Sequence, residues 1–315
     1  MTPPRTRAGW IKFRPVERGA RIALVAPASP FDRAEFESGV AELRRLGFDP
    51  VYGERVFDRH GFVAGTAAAR ARAFDAALTR DEVHALLAVR GGYGSVEILP
   101  LLDVDRVRRA RKAFIGYSDT TSLHAWLGSH VGLASVHGAM IEGRLAQGIS
   151  HYDPSSFMTS LTTTPLGELR SEGLEIVRTG EAAGTLVGGT LTQLLASFGT
   201  PYEFEPPDSH VLFLDEVAER PYRLQRMLTQ LRLSGRLARA SGIVFGQLPR
   251  CEEPGGAATA LGVVTECLAD FPGPVLIGFP SGHTTSPLIS LPFGVRARVV
   301  ATGTPALVIE EAAAG

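Results

Sequence analysis

Three short, almost wholly apolar runs constrain this chain most: Ile22-Ala-Leu-Val-Ala26, Val83-His-Ala-Leu-Leu-Ala-Val89 and Ala113-Phe-Ile115. Their length and lack of polar alternation suit strands buried on both faces. Helical patterns lie between and after them. Arg33 to Leu46 puts Phe36, Val40 and Leu43 on one face, with Gly47 to close it, and Ala67 to Leu78 carries Phe74 and Leu78 inward with its arginines outward. A third pattern follows Ser118 through Leu123, Trp126 and Leu127. Strands alternating with helices of this length predict parallel βαβ units, whose ligands sit at the carboxyl ends of the strands. Arg90-Gly-Gly-Tyr-Gly94 and Gly116-Tyr-Ser-Asp119 both fall at such ends, so these two loops are where chemistry is expected.

After Val136-His-Gly-Ala-Met140 the periodicity weakens, and residues 151–180 are rich in Thr, Ser, Pro and Gly. This stretch reads as a crossing segment. A second half begins near Gly184. There Gly188-Gly-Thr190 opens a helix, Val211-Leu-Phe-Leu214 is a strand ending in Asp215-Glu216, and Arg223 to Leu233 is a helix. Ile243 to Phe245, Val275 to Ile277 and Val295 to Val300 are further strands. The expected layout is a tail (1–18), a first domain (19–150), a linker (151–183) and a second domain (184–315).

Composition narrows the partners. The chain has 315 residues, enough for about two domains, with 44% hydrophobic and 21% charged residues. A net charge of -1 offers no general attraction for nucleic acid or an anionic membrane. No apolar run approaches the ~20 residues of a spanning helix. No long apolar segment follows the Pro- and Arg-containing start, so no secretory leader is expected. Cys251 and Cys267 stand apart without metal-type spacing, which suits a reducing compartment, and the cytoplasm is the expected location.

The first strand is followed by Ala-Pro-Ala-Ser-Pro rather than G-x-G-x-x-G, and no G-x-x-x-x-G-K-[ST] occurs, so neither familiar phosphate cradle is present. The strand–turn–helix around Ser118 has another use. A serine at such a corner is exposed at the tip, with the amides of the next helix start facing the oxyanion that attack would create. The usual pattern is G-x-S-x-G, and here the last position is Thr120. Serine at a helix start is also an ordinary N-cap, and the stretch alone leaves both readings open. Gly91-Gly92 is likewise either a turn needing positive φ or a close backbone approach that supplies a second oxyanion donor.

A serine nucleophile needs a base, and the base needs an orienting acid. Of eight histidines, His283 lies in a polar loop directly after a strand, while His137 is placed to line a cleft. His124, two turns into the Ser118 helix, points away from the tip. His210 precedes a strand, at the end opposite the chemistry. Asp215 and Glu216 close an apolar strand, where a carboxylate has reason to be held. Neighbours on a strand face opposite ways, so at most one of them serves the histidine.

Arg90-Gly-Gly-Tyr-Gly94, Gly116-Tyr-Ser-Asp119, His137-Gly138, Gly188-Gly189, Leu214-Asp-Glu-Val217 with Pro221-Tyr-Arg223 and Arg226-Met-Leu228, and Gly282-His283 occur in one order. As a set, spanning Ile22 to Val300, they resemble the LD-carboxypeptidase family of serine peptidases, which includes the microcin C immunity hydrolases. The resemblance implies an α/β protein with an N-terminal Rossmann-like parallel-sheet domain and a C-terminal β-barrel-like α/β domain. It implies Ser118 as nucleophile, His283 as base, and an orienting acid, with the Asp119 amide and one from Gly91-Gly92 as the oxyanion hole. Two departures stand out. The family usually has Glu then Asp where this chain has Asp215-Glu216. Counting back from Pro221-Tyr-Arg223 favours Asp215, one methylene shorter, while the family's preference for Glu favours Glu216. The usual Asn after the glycine pair is Thr190. The implied activity is hydrolysis of the bond before a terminal D-alanine in murein tetrapeptides, without metal or cofactor, by a homodimer. Arg90 is the candidate for the substrate's terminal carboxylate. The alternatives are hydrolysis of aminoacyl-nucleotide conjugates and non-catalytic binding of a small ligand.

Overall fold

The structure, a computed structural model, describes residues 9–256 and 258–315. The first half supplies strands β1 (Arg21–Val25), β2 (Asp49–Val51), β3 (Val83–Ala88), β4 (Ala113–Gly116) and β5 (Ser135–His137). The rest supplies β6 (Gly167–Leu169), β7 (Glu175–Arg178), β8 (Gly180–Thr190), β9 (His210–Asp215), β10 (Ala240–Gly246) and β11 (Val275–Phe279). It ends with β12 (Leu291–Phe293), β13 (Val295–Ala301) and β14 (Ala306–Ile309).

β2-β1-β3-β4-β5 form a parallel sheet in that order. Helices α1 (Arg33–Arg45), α2 (Ala67–Thr79), α3 (Val104–Ala110) and α4 (Thr121–Trp126) connect or follow these strands. Helix α1 forms as its spacing predicts. Asp32 caps it by accepting from the Ala34 and Glu35 amides, Phe36, Val40 and Leu43 are buried, and Gly47 at φ +93° lets the chain leave. The sheet's sixth strand is β12, which pairs antiparallel with β5. The range expected to be a separate C-terminal domain therefore completes the first sheet.

The second sheet runs β6-β14-β13-β8-β9-β10-β11-β7. It curls: a Cβ on Gly242 of β10 would stand 3.1 Å from Val299 of β13, three strands away along the ladder. The result is barrel-like, with β6 and β7 as its end strands. Helices α5 (Pro154–Thr159), α6 (Leu191–Ala196), α7 (Pro221–Leu233) and α8 (Ala260–Cys267) complete the chain, the last three packing together outside this sheet. One continuous core joins Phe36, Phe74 and Ile115 of the first half to Phe213, Leu276 and Val299 of the second. No helix among the described residues is long and apolar enough to cross a membrane.

Two segments differ from expectation. The stretch read as a linker, 151–183, contains α5, β6 and β7, and the two strands pair at opposite ends of the second sheet. The expected tail is fastened from residue 9 onward, while residues 1–8 lie outside the described residues. Ile11 bridges Leu133, the fully buried Phe13 bridges Ala314, and the Trp10 ring lies against Gly128 and Gly294. Fully burying Phe13 is worth ~1.5–3 kcal/mol, and the partly buried Trp10 and Ile11 add to it, which outweighs the local polarity that suggested a tail.

Candidate active site

Strand β4 ends at Gly116, Tyr117 is extended, and Ser118 takes φ +65° before the helix begins. Positive φ is strained for a serine, by ~1–3 kcal/mol, and strain of this kind collects where a side chain must be aimed. Three neighbours force the corner. A Cβ on Gly116 would meet Thr120 Oγ1 at 2.7 Å and the Ala88 methyl at 3.2 Å. Thr120, in the place of the second elbow glycine, has φ -67°, so no glycine is required there, and its hydroxyl donates to the Tyr117 carbonyl at 2.9 Å. The Gly116 carbonyl can only accept, so His124 donates to it from Nε2 at 2.9 Å and accepts from the Ser135 hydroxyl at Nδ1, 2.8 Å. Burial drives the His124 pKa down to about 3 and keeps the ring neutral.

His283 sits in the loop after β11 and reaches Ser118 from the other half. Its Nδ1 lies 2.6 Å from Asp215 Oδ2, and its Nε2 lies 3.1 Å from Ser118 Oγ. A carboxylate only accepts, so Nδ1 carries the proton and Nε2 is free to accept from the serine hydroxyl. The His283 backbone N–H also donates to Asp215 Oδ2, 2.9 Å, and the Thr190 hydroxyl donates to Oδ1, 2.9 Å. Gly282, at φ +69°, packs where any side chain would collide with the Asp215 carboxylate. Asp215 has no solvent exposure. Burial raises its pKa, but the charge and hydrogen bonds of His283 prevail and hold it below the usual carboxylate range. Burial likewise lowers the His283 pKa, and the Asp215 charge and hydrogen bond more than offset this, leaving it above the ordinary histidine value.

Glu216 faces away, as strand alternation requires. It accepts from the Thr192 amide and hydroxyl and from the Val217 amide, and burial raises its pKa. Of the two candidate acids, Asp215 therefore meets His283 and Glu216 does not. His137, expected to line a cleft, is fully buried between Tyr117, Phe213 and Phe293, because β12 lies over it.

Gly91 packs directly on the elbow. A Cβ there would stand 2.9 Å from Ser118 Cβ, 3.1 Å from its Oγ and 3.3 Å from the Asp119 amide nitrogen. A side chain at 91 would fill the space where an oxyanion would meet that amide. Gly92, at φ +97°, clears Ser29, whose hydroxyl accepts from the Tyr93 amide at 3.1 Å while its own amide donates to the Gly91 carbonyl. The Asp119 carboxylate accepts from the Gly94 and Ser95 amides at 3.2 and 2.9 Å, tying the glycine loop to the elbow. Arg90 is half-exposed beside the glycines, paired to Glu142 at 3.0 Å and donating to the Pro30 carbonyl. Among the described residues, no three His, Cys, Asp or Glu side chains converge to hold a metal ion.

The LD-carboxypeptidase N-terminal domain model matches residues 22–138, and the corresponding C-terminal domain model matches residues 183–299. The chain belongs to the LD-carboxypeptidase family. It is 36% identical to a Streptomyces coelicolor protein named as a carboxypeptidase, over 91% of this chain and 92% of that one. It is 30% identical to the murein tetrapeptide carboxypeptidase of Pseudomonas aeruginosa, over 86% and 90%. Its fold matches that of MccF, a microcin C7 self-immunity protein, in complex with glutamyl sulfamoyl guanosine, with TM-score 0.86, 24% identity and coverage of 96% and 99%. The protein is accordingly a hydrolase of the carboxypeptidase type.

Several residues that support the site of this LD-carboxypeptidase escaped the sequence reading. Thr190, flagged only as a departure from the family's Asn, holds the outer oxygen of Asp215, and its amide donates to Thr121 Oγ1 on the Ser118 helix. Buried Arg70 donates to the Gly65, Pro27 and Gly94 carbonyls and fastens the glycine loop from behind. Buried Arg144 donates to the carbonyls of Gly282 and Thr284, on either side of His283. The helix pattern turns the arginines of Ala67 to Leu78 outward, but Arg70 is buried because the Gly65, Pro27 and Gly94 carbonyls need its donors. Of these residues only the Thr190 position carried any signal.

Proposed function

We propose that the protein is a serine-type LD-carboxypeptidase that hydrolyses the amide joining the L-centre of a diamino acid to the terminal D-alanine of murein tetrapeptides. The observation that carries this reading is the continuous chain Ser118 Oγ, His283 Nε2, His283 Nδ1, Asp215 Oδ2, with its 3.1 and 2.6 Å links. His283 takes the hydroxyl proton as Ser118 attacks the carbonyl carbon, and Asp215 stabilises the imidazolium that forms. The Asp119 amide and an amide of Gly91-Gly92 receive the oxyanion. His283 then gives its proton to the departing amine, so D-alanine leaves and an ester to Ser118 remains. Water, activated by the same imidazole, hydrolyses the ester and restores the serine. Arg90, through the guanidinium face not engaged by Glu142, is the candidate for the terminal carboxylate. Free thiols at Cys251 and Cys267 fit a cytoplasmic location, and the homodimer rests on family resemblance.

The test is D-alanine release from a murein tetrapeptide by purified protein, with an aminoacyl-nucleotide conjugate offered in parallel. Release that survives Ser118→Ala overturns the mechanism, and hydrolysis of the conjugate alone overturns the substrate.

A further inference from the structure

The turn Glu142-Gly143-Arg144 reaches Arg90 beside the glycine loop, Tyr117 of the elbow and the His283 loop without reaching the reacting atoms. Gly143, at φ +79°, reverses the chain there, and its amide and that of Glu142 are fixed by Glu35 and by the Val89 carbonyl. Glu142 pairs with Arg90 beside the glycine loop. Arg144 is buried, and its guanidinium donates to Gly282 O at 3.2 Å, Thr284 O at 2.8 Å, His151 O at 3.2 Å and the Tyr117 hydroxyl at 3.4 Å. Among the described residues it pairs with no carboxylate. A buried cation held only by neutral oxygens is costly, so its presence requires a reason.

We propose that Arg144 is a positioning residue: it clamps the carbonyls on either side of His283 to the residue preceding Ser118, and so fixes the imidazole across the junction of the two halves. The inference rests on the reading of His283 as general base. The clamp also has an electrostatic side. The groups around His283 are Asp215 at the end of β9, Tyr117 and Ser118 from the elbow, buried His137 of β5 and Arg144, with the Glu216 charge acting from the opposite face of the strand end. The two carboxylates favour the imidazolium, whereas the Arg144 charge opposes it.

The experiment compares full-length Arg144→Lys and Arg144→Met with the parent on a murein tetrapeptide. It reads kcat, KM and the pH profile of kcat/KM, with active sites counted by a serine-directed phosphonate. Nη2 meets both carbonyls while Nη1 and Nε reach the His151 carbonyl and the Tyr117 hydroxyl, and lysine keeps the charge but lacks this fork. The Lys variant is expected to lose ~10-fold in kcat with KM and the acid limb unmoved. The Met variant is expected to lose ~100-fold, the scale of an ångström misplacement, with the acid limb moved to higher pH. Parent-like kcat in the Lys variant, or a Met variant whose acid limb stays in place, overturns the inference. If Arg144→Met does not fold, the Lys variant decides alone. Activity surviving Ser118→Ala would instead overturn the serine mechanism beneath it.

Discussion

Replacing Asp215 by Asn removes one charge from the site and little else. Oδ2 receives the His283 ring and backbone N–H groups at 2.6 and 2.9 Å, and Oδ1 receives the Thr190 hydroxyl at 2.9 Å. An asparagine can keep its carbonyl toward His283 and turn its amide toward Thr190, whose hydroxyl can accept as readily as it donates. The packing is retained, while the imidazolium formed during attack loses its counter-charge. With charge centres ~4 Å apart, that attraction is worth ~4 kcal/mol at an effective dielectric of ~20. At ~1.4 kcal/mol per decade, kcat should fall by ~10³. Burial would then act on His283 with Asp215 no longer opposing it, so the acid limb of kcat/KM should move to lower pH.

The assay is D-alanine release across pH, normalised to sites titrated by a phosphonate. Glu216→Gln is the control. Its carboxylate serves Thr192 and Val217, so kcat should stay within ~3-fold of the parent. Asp215→Asn within tenfold of the parent, an acid limb moving upward, or an equal loss in Glu216→Gln would each refute the argument.

Three further outcomes follow from the same geometry. In the parent, the acid limb of kcat/KM should lie above 6.5, because Asp215 holds the His283 pKa up, and a limb below that value contradicts the pairing. Gly188→Ala should cost at least ~3 kcal/mol in urea unfolding, since the glycine takes φ +143° and a Cβ there would drive into the Phe213 carbonyl of the adjacent strand. Stability should also fall as pH drops from ~6.5 toward ~4. Burial holds His137 and His210 at about 4 and His124 at about 3, so the unfolded chain binds more protons in this window. Each should cost ~2 kcal/mol at pH 5 relative to pH 7, partly offset by His283, whose shift has the opposite sign. A urea midpoint unchanged between pH 7 and pH 5 would exclude that linkage.

What could be read in advance was local. The βαβ units follow from apolar runs and helix spacing within a few tens of residues, and the Ser118 corner from a strand meeting a helix start. The choice between Asp215 and Glu216 was open because alternation shows that only one can serve, not which, and register decides it. Strand β8 was missed because Gly180, Gly184, Gly188 and Gly189 leave too few side chains for alternation to show. Those glycines exist for distant neighbours: Gly188 for the Phe213 backbone, and Gly189 for Thr121, 2.6 Å from where its Cβ would stand. β12, only Leu-Pro-Phe, is a strand because β5 is there to pair with it. Residues whose identity is set by long-range contact carry no local pattern, and Arg144 and Thr190 are of this kind.

The placement of β12 also explains how residues from two halves keep a 3.1 Å hydrogen bond. The His283 loop, 280–290, leaves β11 in the second sheet and enters β12 in the first, so each of its ends is built into a different sheet. On the second-sheet side, Gln247 Oε1 accepts from the Thr284 hydroxyl at 2.5 Å and the Thr285 amide at 2.9 Å. On the first-sheet side, the Leu288 carbonyl accepts from the Asp153 amide, and the Leu288 amide donates to the His151 carbonyl. A hinge between the halves would have to break these bonds together with the β5–β12 ladder and the shared core. The base is therefore strung across the junction rather than carried on one side of it. Its distance from Ser118 is fixed by the same contacts that join the halves, which makes the join itself part of the catalytic geometry.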